Sequence, residues 1–215
     1  MVAAAELSVH RLAAPITSLG PGRRAGLWVQ GCSIGCAGCA STDTWDGADG
    51  QRLPVSTLAR QVADLLDGEA LDGLTISGGE PFQQADALAD CLDLLRAAGA
   101  LADRDVLVFT GYAAPRARRL STRLWEHADA VVAGPYRADQ PGDGWLRASG
   151  NQQLLHLTPL GHERFVDPER ATTVNVTVSG GSLVMAGLPA AGDLDRFRAE
   201  MSRRGIDFPE VSWQS

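Results

Sequence analysis

The chain has 215 residues, of which 45% are hydrophobic and 21% charged, and this length suggests one domain with or without a small extension. Such a composition allows a sizeable core and excludes a disordered chain, since disorder requires low hydrophobicity. The formal net charge of −7 argues against broad nucleic-acid binding, which needs surplus Lys and Arg on one face. No apolar run approaches the roughly 20 residues that span a bilayer.

The first twelve residues lack the basic start and the apolar run of a signal peptide, so we expect a cytoplasmic protein with reduced thiols. The four cysteines are Cys32, Cys36, Cys39 and Cys91, and three of them lie within eight residues. A disulfide framework would spread its cysteines along the chain. The clustering therefore predicts a metal site.

Short apolar runs alternate with amphipathic stretches through the first three-quarters of the chain. The predicted strands are Leu27–Val29, Leu74–Ile76, Asp105–Phe109, Ala130–Val132 and Gln153–Leu157. The predicted helices are Val55–Leu66, Gln83–Ala98 and Pro115–His127. This order predicts an α/β fold with a mostly parallel sheet and crossover helices.

The pattern changes after Pro168. Val174, Val176 and Val178 alternate with polar residues, and a turn at residues 179–182 leads into a second short apolar run, which predicts a β-hairpin. A charged amphipathic helix is predicted at Asp193–Arg204. We therefore expect a core domain of residues 1–165 and a C-terminal β-hairpin and helix extension of residues 166–215.

Several Gly-rich motifs directly follow predicted strands. Gly78-Gly79-Glu80, Thr110-Gly111-Tyr112 and Gly134-Pro135-Tyr136 do so, as does the segment that carries the first three cysteines. Ligands of parallel α/β sheets bind at the carboxyl ends of the strands. We therefore expect these motifs to meet at one edge of the sheet.

The cysteine segment Cys32-Ser-Ile-Gly-Cys36-Ala-Gly-Cys39 has the spacing C-x3-C-x2-C. Thiolates favour zinc or iron–sulfur clusters, and a cuboidal cluster held by three Cys would leave one iron open to a ligand. Cys91 lies about 50 residues away, on the apolar face of a predicted helix. A structural zinc site and incidental buried thiols remain alternatives, although no His stands at zinc-finger spacing.

This cysteine spacing, directly after a strand, resembles that of the radical S-adenosylmethionine superfamily. Further segments are similar to the glycyl-radical-enzyme activating branch, and most of all to the activators of anaerobic ribonucleotide reductase. These segments are Gly20–Arg23, Gln30–Cys32, Asp43–Asp46, Ser77–Pro81, Val108–Tyr112, Gly134–Tyr136 and Leu146–Gln152.

The resemblance implies a partial (β/α) barrel that holds one 4Fe–4S cluster and S-adenosyl-L-methionine. It implies that Cys32, Cys36 and Cys39 hold the cluster. The residues it implies for the S-adenosylmethionine site are Ser77, Gly78, Gly79, Glu80, Thr110, Gly111, Tyr112 and Asn151, with Glu80 at the amino group of the methionine moiety. It implies no general base among the side chains.

The resemblance also implies reductive cleavage of S-adenosylmethionine and abstraction of a hydrogen atom from a glycine of a partner glycyl radical enzyme. An electron donor such as flavodoxin or ferredoxin would be required, and neither nucleic acid nor membrane is expected as a partner. One alternative is a small metabolite, nucleoside or peptide as substrate. The C-terminal extension favours this alternative, as does Ala133, where relatives commonly carry an acidic residue. A second alternative is a non-enzymatic metal-binding adaptor.

Overall fold

The computed structural model describes residues 5–142, 145–166, 174–179, 182–190, 192–208 and 211–212. A seven-stranded sheet has the order β3-β1-β2-β4-β5-β6-β7, and β8 pairs with β9 in a separate hairpin. The strands are β1 (Glu6–Ile16), β2 (Arg24–Val29), β3 (Gln51–Pro54), β4 (Gly73–Gly78), β5 (Asp105–Thr110), β6 (Ala130–Ala133), β7 (Gln153–His156), β8 (Val174–Ser179) and β9 (Ser182–Gly187).

The helices are α1 (Val55–Gly68), α2 (Ala85–Ala97), α3 (Ala114–Leu120), α4 (Thr122–His127), α5 (Pro159–Arg164) and α6 (Asp193–Arg203). The prediction of one helix over Pro115–His127 is wrong. Ser121 has an extended backbone (φ −153°, ψ 105°), and its side chain accepts a hydrogen bond from Leu124 N at 3.1 Å. Serine therefore ends α3 and caps α4. None of the helices in the described part of the chain is both long and apolar enough to cross a membrane.

The centre of the sheet is parallel and its edges are antiparallel. β2, β4, β5 and β6 run parallel to one another, which confirms the predicted α/β class. β7 pairs antiparallel with β6, and β1 pairs antiparallel with both β2 and β3. The strands β1 and β3 were not predicted. With β3 and β7 as edge strands the sheet stays open, which is compatible with a partial barrel.

The main core lies between the sheet and α1, α2 and α4. Leu58, Val62 and Leu66 recur at helical spacing along α1 and are fully buried. In α2, Leu88 and Leu92 form the matching apolar stripe. Along the central strands successive side chains point to opposite faces. Val106 and Val108 of β5 belong to the main core, and Leu107 between them packs in a second cluster.

A buried ion pair crosses the sheet at the amino ends of its parallel strands. Arg24 on β2 and Asp105 on β5 flank Gly73 on β4, and all three residues are in register. The Arg24 Nη2 to Asp105 Oδ1 distance is 2.6 Å, and both side chains are fully buried. A Cβ atom on Gly73 would lie 2.7 Å from Arg24 Nη1, so glycine makes room for the guanidinium.

The described part of the C-terminal extension contacts the core at two places. At the first, Thr17 N donates to Asn175 Oδ1 at 2.8 Å and Ser18 Oγ donates to Ala186 O at 2.7 Å. At the second, Ser212 Oγ donates to Ala40 O at 3.1 Å. The predicted hairpin and helix are present as β8, β9 and α6, although Gly180 and Gly181 of the predicted turn lie outside the described residues. The division at residue 165 stays a proposal.

Candidate functional site

A cavity of about 1010 Å³ lies at the carboxyl ends of the parallel strands. Its core-side lining brings together motifs from four successive strands. These residues include Cys32, Cys36, Cys39, Ser77, Gly78, Gly79, Glu80, Thr110, Gly111, Gly134 and Tyr136. Its opposite side is lined by the extension, including Leu183, Met185, Leu188, Phe197, Met201 and Phe208.

The cysteine-bearing loop is anchored at the end of β2. Gly31 N donates to Thr44 O at 2.7 Å, and Cys32 N donates to Trp45 O at 3.0 Å. Gln30, which is buried, donates from Nε2 to the carbonyl oxygens of Asp43 and Asp46, each at 2.8 Å. These bonds close the loop between residues 31 and 44 from both ends.

A second glutamine ties the same loop to β1. Gln84 donates from Nε2 to Gln30 O at 2.9 Å and to Ser8 O at 3.0 Å, while its Oε1 accepts from Ser8 N at 2.7 Å. Both side-chain atoms of Gln84 are thereby used on backbone groups. The entry to the cysteine loop is consequently held by protein contacts alone.

The three loop thiols are half-buried, and N–H groups point at two of them. Ser41 N donates to Cys39 Sγ at 3.4 Å, and the Trp45 side chain also donates to that sulfur. The backbone of Tyr136 donates to the Cys36 sulfur. Burial raises the pKa of both Cys36 and Cys39, and the proximity of the other thiols adds to this rise. Hydrogen bonds of this kind tune sulfur ligands of iron–sulfur clusters.

The three loop thiols are a donor set that fits an iron–sulfur cluster. Cys32, Cys36 and Cys39 all line the one cavity. Cysteine thiolates are the usual protein ligands of such clusters. The thiols and the open space beside them therefore suit a cluster held by the loop.

The Gly78-Gly79-Glu80 segment packs directly against the start of the cysteine loop. Gly79 N donates to Val29 O at 2.8 Å, and Glu80 N donates to Gly31 O at 2.9 Å. A Cβ atom on Gly79 would lie 2.3 Å from Gly31 O. Glycine is thus required at position 79 because two backbone segments approach each other there.

The Glu80 side chain joins the ends of β4 and β5. It is 1% exposed, and its Oε1 accepts from Phe82 N at 2.9 Å and from Thr110 Oγ1 at 2.7 Å. Its Oε2 accepts from Gly111 N at 2.8 Å. Burial raises the pKa of Glu80, and the three donors oppose this effect. The carboxylate lines the cavity, and its Oε2 has one acceptor position left for a cationic ligand.

Replacing Gly79 by Ala should impair the site with little effect on the rest of the fold. The added methyl group would collide with the backbone of Gly31, which cannot move without shifting Cys32. We expect a loss of about 1–3 kcal/mol in stability and a clear drop in the iron and sulfide that the protein retains after anaerobic reconstitution. Gly47→Ala is the control, since its Cβ would lie 4.0 Å from Gly31 Cα. Equal behaviour of the two variants would contradict the close-packing argument.

Two of the predicted cofactor residues stand outside the cavity lining. The Tyr112 hydroxyl accepts from Gln83 Nε2 at 2.9 Å, and its ring lies under the Arg116 guanidinium. Asn151 Nδ2 donates to Pro135 O at 2.7 Å, and its buried Oδ1 has no hydrogen-bond partner among the described atoms. Both side chains position neighbouring segments of the rim. Thr110 and Gly111 do line the cavity.

Other lining residues were not predicted. His10 Nδ1 lies 2.8 Å from Gln30 Oε1, and His10 Nε2 lies 3.4 Å from Asp43 Oδ2. Gln152, by contrast, belongs to the predicted segment Leu146–Gln152; it lines the cavity and donates to Gly134 O at 3.1 Å. The sequence carries no signal for His10, because its position depends on the unpredicted strand β1. Trp45 also lines the cavity, where its side chain donates to Cys39 Sγ.

The environment of Cys91 differs from that of the three loop cysteines. It is 2% exposed on α2 and packs in the main core, where burial raises its pKa to about 12. A thiol so difficult to ionise is a poor metal ligand. Its environment agrees with the prediction of a core residue.

Comparisons with known proteins agree with this geometry. A family model described as a 4Fe-4S single cluster domain matches residues 18–155. The anaerobic ribonucleoside-triphosphate reductase-activating protein of Vibrio cholerae is 32% identical over 65% of this chain and 91% of its own length. The protein of the same name from Enterobacteria phage T4 is 29% identical, over 65% of this chain and 87% of its own length.

Among solved structures, QueE from Escherichia coli is 15% identical with a TM-score of 0.43, covering 62% of this chain and 73% of QueE. A likeness this distant carries no argument about function. The 4Fe–4S family match includes both the cysteine loop and the Gly-Gly-Glu segment, and the named relatives are each covered over most of their own length. The chain belongs to the 4Fe–4S single-cluster family and, within the radical S-adenosylmethionine enzymes, to the branch of the anaerobic ribonucleoside-triphosphate reductase-activating proteins.

Proposed function

We propose that the protein binds one 4Fe–4S cluster through Cys32, Cys36 and Cys39 and activates a glycyl radical enzyme of the anaerobic ribonucleotide reductase type. With S-adenosylmethionine bound, a reduced cluster of this kind supplies the electron that cleaves the S–C5′ bond and so generates a 5′-deoxyadenosyl radical that abstracts a hydrogen atom. The substrate hydrogen would come from a glycine of the partner. The observation that carries the proposal is the convergence of the three thiols and the Gly-Gly-Glu segment on one cavity.

The residues that line the cavity would have different roles, which follow from their positions. The three thiols would hold the cluster, and a set of only three protein ligands would leave a coordination position free for S-adenosylmethionine. The buried carboxylate of Glu80 offsets the ammonium charge, and the backbone of Ser77–Gly79 lies beside it. Thr110 and Gly111 orient that carboxylate through their hydrogen bonds. The walls of the cavity restrict water around the reacting atoms.

The cavity is large enough for this assignment. Pockets for one drug-sized ligand measure about 300–1,000 Å³. At about 1010 Å³, the cavity lies at the upper end of that range and can hold a cofactor together with part of a substrate.

The test is an anaerobic reconstitution with iron and sulfide, followed by addition of dithionite and S-adenosylmethionine. We expect 5′-deoxyadenosine and methionine in equal amounts. Addition of the anaerobic ribonucleotide reductase from the same organism should then give a glycyl radical signal in electron paramagnetic resonance. A protein that contains the cluster and binds S-adenosylmethionine without cleaving it would contradict the proposal and favour the metal-binding adaptor.

One observation favours a second candidate, in which the substrate is a small metabolite, nucleoside or peptide. The extension closes one side of the cavity with apolar side chains, among them Met185, Phe197 and Met201. It follows the segment that matches the 4Fe–4S family, which ends at residue 155. A wall at this position narrows the space through which a loop of a large partner would enter.

The same reconstituted protein separates the two candidates. Glycyl radical formation that accompanies cleavage supports the activating function. Cleavage with no glycyl radical on the reductase, and with a rate raised by small-molecule extracts of the organism, supports the second candidate. Phe197→Ala should then change the response to the extracts more than the basal cleavage rate.

A further inference from the structure

We propose that the exposed face of α3 is the docking surface for an acidic one-electron carrier protein. This inference rests on the proposed function, because only a redox-active cluster needs such a carrier. It identifies α3 as the place where the electron donor of the cluster binds, and it identifies that donor as an acidic protein. One electron passes from the reduced carrier to the cluster, so the carrier is oxidised by one electron, the cluster is reduced by one, and no atom is transferred.

The charge of α3 differs from that of the rest of the protein. Arg116, Arg118 and Arg119 lie within seven residues that contain no acidic side chain, and all three are exposed. The whole chain has a net charge of −7, so a cationic patch of this kind stands out. Arg118 and Arg119 form no ion pair with any residue that the structure describes. By contrast, Arg123 on α4 is neutralised by Asp90 and Asp93.

A continuous set of side-chain contacts joins this patch to the cysteine loop. Gln83 Nε2 donates to Ser33 Oγ at 2.6 Å, and Ser33 lies between Cys32 and Cys36. The same Nε2 donates to the Tyr112 hydroxyl at 2.9 Å. The Arg116 Cζ atom lies 4.3 Å from the centroid of the Tyr112 ring. A protein bound over α3 would therefore lie two side chains away from the loop.

The surface has a shape as well as a charge. A shallow cleft of about 450 Å³ lies on it, lined by Ala114, Pro115, Arg118, Arg119, Thr122 and Trp125. The neighbouring Leu120 is 50% exposed. Arginine and tryptophan around a partly apolar cleft are typical of protein interfaces. The guanidinium groups of Arg118 and Arg119, which pair with none of the described residues, fit carboxylates that project from an acidic partner.

The test measures electron transfer from flavodoxin hydroquinone to the reconstituted holoenzyme by stopped-flow absorbance. At low ionic strength we expect Arg118→Glu to slow the second-order rate about 10-fold, and Arg118→Glu/Arg119→Glu about 100-fold. The differences should shrink as salt is raised, because screening weakens long-range attraction. The matched control is Arg60→Glu on α1, which is also exposed and should change the rate less than about 2-fold.

A second readout separates failure of this inference from failure of the proposed function. Dithionite reduces the cluster without a docking surface, so all variants should form 5′-deoxyadenosine equally with dithionite. Titration calorimetry with oxidised flavodoxin should show weaker binding for the Arg118 and Arg119 variants. Rates and affinities equal to those of Arg60→Glu would overturn the inference. So would a loss of glycyl radical formation in the dithionite reaction, since the surface would then bind the partner enzyme.

Discussion

Replacement of Cys32, Cys36 or Cys39 by Ala should remove the iron–sulfur cluster and abolish formation of 5′-deoxyadenosine. A cluster held by three thiolates has no spare protein ligand, so loss of one thiol leaves two irons open. Mutation of residues that only support metal ligands typically lowers metal affinity or activity about 10–100-fold. For a ligand itself we therefore expect the rate of 5′-deoxyadenosine formation to fall more than ~100-fold. Iron and sulfide content, visible absorbance and cofactor cleavage measure the result.

Cys91→Ala is the matched control for these variants. It removes the one other cysteine of the chain from a fully apolar site. Loss of a small buried group should cost about 1 kcal/mol in stability, with cluster content and cleavage unchanged. Retained cleavage in a loop-cysteine variant would refute the assigned ligands. Loss of the cluster in Cys91→Ala would make this thiol a fourth ligand.

The second large expected effect is on the stability of the fold. It concerns the buried Arg24–Asp105 ion pair at the amino ends of the parallel strands. Arg24→Met removes the guanidinium that Asp105 faces and leaves a buried carboxylate, 3.6 Å from Arg164 Nη1. Breaking a buried pair in this way costs about 3–5 kcal/mol. For a chain of this size the loss corresponds to a fall in Tm of roughly 6–20 °C. Thermal unfolding followed by circular dichroism would measure it.

A double variant identifies the physical cause. Arg24→Met/Asp105→Asn removes both charges and should recover part of the lost stability, although the bond from Arg24 Nε to Thr75 Oγ1 is still lost. At low temperature both variants should assemble the cluster as the native protein does, because the pair lies far from the cavity. A Tm unchanged in the single variant would contradict the role assigned to the ion pair.

Local sequence patterns predicted most of the parallel sheet and the main motifs of the cavity. The strands at Leu74–Ile76 and Asp105–Phe109 are short apolar runs that end at Gly, and the helices at Val55 and Gln83 have regular apolar spacing. The C-x3-C-x2-C spacing is itself a local property. These features were predictable because the residues responsible are neighbours in sequence.

Features that depend on distant contacts were not predictable in the same way. β1 does not alternate between buried and exposed residues, and its pairing with β3 is visible only in the sheet. Ser121 interrupts a stretch of helical composition through a cap that the apolar pattern does not reveal. The place of Tyr112 behind the cavity wall depends on Gln83 and Arg116. The contribution of α6 to the cavity lining also depends on contacts between residues distant in sequence.

The hydrogen bonds of Gln30 and Gln84 have a consequence for recovery from oxygen damage. They attach the start of the cysteine loop to β1 and to residues 43–46. None of these bonds involves a cysteine sulfur, so loss of iron would leave their donors and acceptors in place. We therefore expect both ends of the emptied loop to stay attached, which favours renewed uptake of iron and sulfide under reducing conditions.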